Sequence, residues 1–133
     1  MNNEQKAMNT ESRTESKRGD VITTKADRLA HCVYAISKRF PKEELYGVTS
    51  QIRRASISVP LNLIEGFARQ SQNDHRRFLE IAYGSLKETK YLLHFSFKEG
   101  LILNDDYRKL LDLAEEVSKM LWSKIQTLKR RGN

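Results

Sequence analysis

Apolar side chains recur along this chain at alternating steps of three and four residues, the spacing of one face of an α-helix. The first stripe is Leu29, Val33, Ile36 and Phe40. It opens near Thr23 or Thr24, whose hydroxyls suit an N-cap, and closes before Pro41, because the residue ahead of a proline is pushed out of the α region. The second begins within Pro41-Lys42-Glu43-Glu44, where proline and acidic groups suit a first turn. It continues as Leu45, Val48, Ile52, Ala55, Val59, Asn62 and Gly66, an unbroken heptad seam. The third spans about 74–99, capped by Asn73 or Asp74, with Phe78, Ala82, Leu86, Thr89, Leu93 and Phe97 on its stripe. Gly100 follows as its terminal glycine. The fourth is capped by Asn104 or Asp105 and places Tyr107, Leu110, Ala114, Val117, Leu121, Ile125 and Leu128 on one seam. It closes on Lys129-Arg130-Arg131-Gly132, cations and a glycine where the helix dipole favours them. No period-two strand pattern competes. Short connections make neighbouring helices antiparallel. The predicted fold is all-α, an up-down-up-down antiparallel four-helix bundle.

Composition adds little against this. A chain of 133 residues with 6 glycines and 2 prolines has few places to turn. Residues 1–20 contain no Val, Ile, Leu, Phe, Tyr or Trp, too little apolar area to offset the entropy of ordering. Residues 1–22 are therefore expected to be a disordered tail, and 23–133 the bundle domain. The single cysteine, Cys32, cannot form an internal disulfide and reads as a core or near-core thiol. It fits a reducing compartment, and no apolar run approaches a membrane span or a signal peptide. Cytoplasm is the expected location.

Two features depart from a plain bundle. Ile57, Leu61 and Ile64 in the second helix, and Leu113, Met120 and Trp122 in the fourth, lie off the main seams. A monomer would expose some of them, so they are candidates for an oligomer interface. The stretch SVPLNLIEGF, residues 58–67, also puts polar groups on a seam. Pro60 removes an amide donor and crowds the carbonyl four residues back, so it should kink the second helix. Nearby freed backbone groups have the hydroxyls of Ser56 and Ser58 within reach. Asn62 and Glu65 point inward on this reading. Gly84 in the third helix admits a close backbone, and Ser85 and Glu88 lie one turn apart. The expectation is a buried polar layer of Asn62, Glu65, Ser85 and Glu88 that sets register. Its rival is a catalytic carboxylate pair, Glu65 with Glu88. No phosphate loop, metal ligand or third catalytic group accompanies the pair, so the structural reading is preferred.

His31, His75 and His94 show no metal-ligand spacing, and His31 and Cys32 are about 100° apart on a helix. No nucleophile elbow occurs. A non-enzymatic role without metal or cofactor is expected. Charge points elsewhere. The net charge is +7, and residues 1–20 are neutral within themselves, so the excess belongs to the bundle. A surface of that kind attracts polyanions. The densest basic groups are Arg53 and Arg54, Arg69, Arg76 and Arg77, Lys124, and Lys129, Arg130 and Arg131. Their competing reading is a solvated face. Aromatic residues are not interleaved with them in sequence, so backbone contacts to nucleic acid, probing no bases, are expected.

Residues 40–47 (FPKEELYG), 51–55 (QIRRA), 58–66 (SVPLNLIEG) and 78–86 (FLEIAYGSL) together resemble the 23S rRNA-intervening sequence protein family, also called the four-helix-bundle protein family. Its wider relatives include the accessory variability determinants of diversity-generating retroelements. The resemblance covers about residues 24–130. Ile64 stands where the family usually has alanine, and Thr89 and Tyr91 replace its commoner Leu and Thr. The resemblance implies a four-helix protomer in a ring-like homopentamer. By retroelement analogy it implies binding of RNA and of a reverse transcriptase. The alternative is a structural or protein-interaction module with no nucleic-acid role.

Overall fold

The computed structural model describes residues 21–132. Helix α1 covers 21–37, α2 Ser50–Phe67, α3 Gln72–Lys98 and α4 Asn104–Gly132. Among the described residues there is no strand. The expected all-α four-helix bundle is the observed one.

Each helix runs antiparallel to its neighbours. The end of α2 meets the start of α3 at Gly66 and Phe78. Residues late in α4 meet residues early in α3, as Lys129 with Glu80 and Trp122 with Tyr83. Helix α1 closes the ring, reaching α2 through Arg53 and Ser37 and α4 through the Lys25–Glu116 ion pair. Helices α2 and α4 therefore sit on opposite sides of the bundle.

The core follows the seams. Leu29 and Val33 of α1, Ile52, Val59 and Leu63 of α2, Leu79, Ala82, Leu86 and Leu93 of α3, and Ala114, Val117 and Leu121 of α4 are fully buried in one cluster. Apolar area removed from water on this scale is what holds so few secondary elements together. Cys32 packs half-buried against it, as a near-core thiol should.

Helix ends differ from expectation in informative ways. Val21 and Ile22 are already helical, and Ile22 is buried in the core, so neither Thr23 nor Thr24 caps α1. The bundle thus reaches at least to residue 21. Residues 1–20 of the expected tail lie outside the described residues. The cap of α3 is Ser71, whose Oγ accepts from the Asp74 amide at 3.3 Å, rather than Asn73 or Asp74. Asn104 is already inside α4, with Asp105 and Asp106 in its first turn.

At the other end of α3 the glycine reading holds in detail. Gly100 has φ +76°, its amide donates to Phe97 O, and the Leu101 amide donates to Ser96 O. This pair of bonds is the Schellman closure of a helix.

The second helix runs unbroken through Pro60, and its irregular backbone lies earlier, at Gly47. Assignment is continuous from Ser50 through Pro60 to Phe67. The non-helical residue is Gly47 (φ −112°, ψ −116°), inside a five-residue π-turn, Leu45–Thr49, that follows a 3₁₀ turn at Lys42–Glu44. Leu45 is exposed in consequence, although Val48 three residues on is buried. Ser56 Oγ donates to the Arg53 carbonyl at 3.2 Å.

Candidate nucleic-acid interface

Antiparallel packing gathers distant basic residues at one end of the bundle. That end holds the last turn of α2, the first turns of α3 and the last turn of α4. Arg69, Arg76, Arg77, Lys129, Arg130 and Arg131 all fall there. Arg53, Arg54 and Lys124 do not. Sequence proximity made Arg53 and Arg54 look like one group, but helical geometry separates them. Arg53 is half-buried, donates from Nε to Ser37 Oγ at 2.7 Å and lies over the Tyr34 ring at 4.2 Å. It ties α2 to α1. Arg54 is exposed, with no hydrogen bond or ion pair among the described residues. Lys124 is half-buried on α4.

The basic end is ordered by its own contacts. Phe78 lies beneath two guanidinium groups, Arg69 at 4.7 Å and Arg77 at 4.8 Å. Four of the six cations also face a carboxylate. Arg69 pairs with Glu65 (3.1 Å), Arg77 with Asp74 (3.8 Å), and Glu80 faces both Arg76 (3.8 Å) and Lys129 (3.9 Å). Exposed pairs of this kind are worth little, so a phosphate can replace the carboxylate at small cost. His75 shares the corner, its Nδ1 2.6 Å from Gly66 O and its ring 5.1 Å from Phe67. The close approach there needs Gly66. A Cβ would sit 3.1 Å from Phe78 Cβ and 3.3 Å from the His75 carbonyl oxygen. The glycine expected to admit a neighbour, Gly84, has nothing within 4 Å of its Cβ position.

The polar layer is smaller than the sequence implied. Ser58 and Ser85 share a 2.8 Å hydrogen bond between α2 and α3, and Asn62 Nδ2 donates to Ser58 Oγ at 2.9 Å and to Ser58 O at 2.8 Å. Asn62 and Ser85 are half-buried in this layer. Glu65 and Glu88 are not part of it. Both are exposed, Glu65 because it turns out to Arg69. A carboxylate left in water avoids the desolvation cost of the core. With both carboxylates in solvent, nothing forces them together as an acid–base pair.

The off-seam apolar residues separate into two groups. Ile57 (46%), Leu61 (56%) and Ile64 (58%) form an exposed stripe on α2. Beside its Ile57 end, Asp27, Ala30, His31, Tyr34, Ile57 and Pro60 line a shallow groove of about 400 Å³ between α1 and α2. Leu113 and Met120 instead pack half-buried against the core, which removes most of their surface from any interface. Trp122 is exposed, but on α4, across the bundle from the α2 stripe.

Sequence order hid one constellation. Aromatics are interleaved with cations once the helices fold together. Tyr83 and Trp122 meet with ring centroids 5.4 Å apart, and Lys87 Nζ lies 5.4 Å from the Tyr83 ring centre. The pairing depends on the register between α3 and α4, which the spacing within either helix does not contain. Further along the same face Lys90 and Glu115 pair at 2.7 Å. That hydrogen bond, first of all, holds the Glu115 carboxyl below its usual range against the opposing effect of burial. The charges of Lys90, Lys119 and Lys87 act in the same direction.

The description 23S rRNA-intervening sequence protein matches residues 20–123. The chain belongs to this family. Among solved structures, the chain is similar to a protein of unknown function from the S23 ribosomal protein family of Bacteroides thetaiotaomicron. The two share 25% identity and a TM-score of 0.76, over 82% of this chain and 98% of that one. No curated protein matches. The family match takes in α1, α2, α3 and the first two thirds of α4, and so includes the polar layer and Arg69, Arg76 and Arg77 of the basic end, while Lys129, Arg130 and Arg131 lie beyond it.

Among the described residues no group of three or more His, Cys, Asp or Glu side chains is placed to hold a metal, and no helix is long and apolar enough to cross a membrane.

Proposed function

We propose that this protein is a non-enzymatic, basic, homo-oligomeric accessory protein that binds nucleic acid, RNA above all. The observation that carries this reading is the basic end, where six cations from the α2–α3 turn, the start of α3 and the last turn of α4 lie at one end of the bundle. Three carboxylates, Glu65, Asp74 and Glu80, face them there, leaving an excess of positive charge. Phosphate is the ligand such a surface recognises, through charge and guanidinium hydrogen bonds.

The exposed stripe Ile57, Leu61 and Ile64 supports self-assembly. Three large apolar side chains one turn apart are costly to leave in water. A second copy of this chain, docked on the stripe and on the groove beside Ile57, would cover them. A ring of five copies, as the retroelement relatives imply, repeats the basic end five times around one axis. In that setting the partner would be a reverse transcriptase and its template RNA, held together in a cytoplasmic complex.

A second reading has its own support. Arg69, Arg76, Arg77 and Lys129 all face carboxylates, so the charge can be read as self-compensating and the protein as a structural or protein-interaction module. Binding of single-stranded RNA across a salt titration separates the two. The nucleic-acid reading requires affinity at low salt that falls steeply as salt rises. The module reading requires none.

A further inference from the structure

We propose that Trp122 and Tyr83 form a stacking platform for the unpaired bases of a single-stranded nucleic acid, with Arg76, Lys129, Lys87 and Lys119 taking its phosphates. The proposal rests on the nucleic-acid reading above and adds where, and by what chemistry, the bases are met.

A single strand asks for flat apolar surfaces beside a track of positive charge. The α3–α4 face has both. Trp122 is 51% exposed, so much of its indole lies in water on a helix with an otherwise well-buried seam. It is held in place by Tyr83, at 5.4 Å and an interplanar angle of 41°. A ring fixed by a neighbour loses less freedom when a base lands on it, which favours binding.

The cations bracket the aromatic pair. Arg76 and Lys129 lie toward the basic end, both near Glu80. Lys87 lies over Tyr83 on the other side, and Lys119 is one turn before Trp122 on α4. Among the described residues neither Lys87 nor Lys119 has a carboxylate within ion-pair distance; Glu115, whose carboxyl feels both charges, is bonded to Lys90. From Arg76 to Lys87 the face runs about 16 Å along α3. It is continuous with the basic end, so a strand caught there by its phosphates passes directly over Trp122. A duplex keeps its base faces stacked inside and has nothing to offer the indole. The site therefore discriminates for single strands without reading sequence.

Trp122 is the one tryptophan of the chain, so its emission reports on this site alone. The full chain is titrated at low salt with a short oligouridylate and, separately, with an RNA duplex. Quenching by the single strand only is expected. Trp122→Ala should weaken single-strand binding by about five-fold or more, the loss of one stacked base, while Trp122→Phe retains most of the affinity. Salt-dependent binding with unchanged emission and an unaffected Trp122→Ala variant would overturn the platform and leave the nucleic-acid reading standing. Absence of any binding would overturn both. A drop in the assembly's mass in Trp122→Ala with RNA affinity intact would assign Trp122 to a protein interface and overturn the platform.

Discussion

The hydroxyls of Ser58 and Ser85 lie 2.8 Å apart where α2 crosses α3, and Asn62 donates to Ser58 from one turn along. The bond has a single polar counterpart on each helix, so sliding one helix past the other by a turn would leave half-buried groups unpaired. This is how a small polar layer specifies register. Ser58→Ala and Ser85→Ala should each cost about 1 kcal/mol in urea unfolding. The double variant should cost less than the sum, because both remove the same bond. Strict additivity would show the two hydroxyls acting independently.

Gly66 and Gly84 should respond to alanine in opposite directions. At Gly66 the added Cβ meets Phe78 Cβ at 3.1 Å and the His75 carbonyl oxygen at 3.3 Å, and the carbonyl belongs to backbone that cannot rotate away. Gly66→Ala should destabilise by roughly 1–3 kcal/mol. Gly84 is mid-helix with open space around it, so Gly84→Ala should stabilise by about 0.5–1 kcal/mol. Chemical denaturation of the two variants side by side checks the pair.

The fold was legible because its signal is periodic. Val59, Leu86 and Leu121 lie on stripes that a 3.6-residue period cannot place anywhere but inside. The helix breaks were less legible. The seam through Pro60 was readable, and the helix does continue across it, whereas the π-turn with its non-helical Gly47 left no mark in the 3-4 spacing of Leu45, Val48 and Ile52. Glu65 shows the limit of a seam argument. It is three residues after Asn62, but Arg69 one turn later offers a partner in water. The site was half legible. The convergence of Arg69 with Lys129 follows from antiparallel topology, whereas the meeting of Tyr83 and Trp122 depends on the register between two helices, which spacing within either helix does not contain.

The α2 stripe makes a prediction about mass. Leu61 is over half exposed at the centre of the stripe, so Leu61→Asp puts a charge where a second copy would dock without disturbing the core. Light scattering should find an assembly for the native chain and a single-chain mass for the variant, with unchanged helical circular dichroism. A native chain that is already monomeric would contradict the interface.

Glu115 makes a prediction about pH. Its carboxyl is held below the usual range, first by the hydrogen bond from Lys90, so the ionised form is favoured in the folded state. Its contribution to stability is fully present above the ordinary carboxylate pKa and is lost as the pH falls through the lowered one. Glu115→Gln should be less stable than the native chain at neutral pH, within the ~0–1 kcal/mol typical of exposed pairs. The difference should close in acid. Thermal unfolding at a series of pH values checks the trend.

The central claim is that the basic end binds the phosphates of a single-stranded nucleic acid. The most direct measurement is the affinity of the full chain for a labelled single-stranded RNA as salt is raised. Log affinity should fall linearly against log salt with a slope of about −2 or steeper, the value for three phosphates neutralised on a single strand. Reversing Arg76, Arg77 and Arg130 to glutamate should flatten that slope while leaving the helical content unchanged. No binding at low salt, or binding whose affinity does not change with salt, would contradict the account.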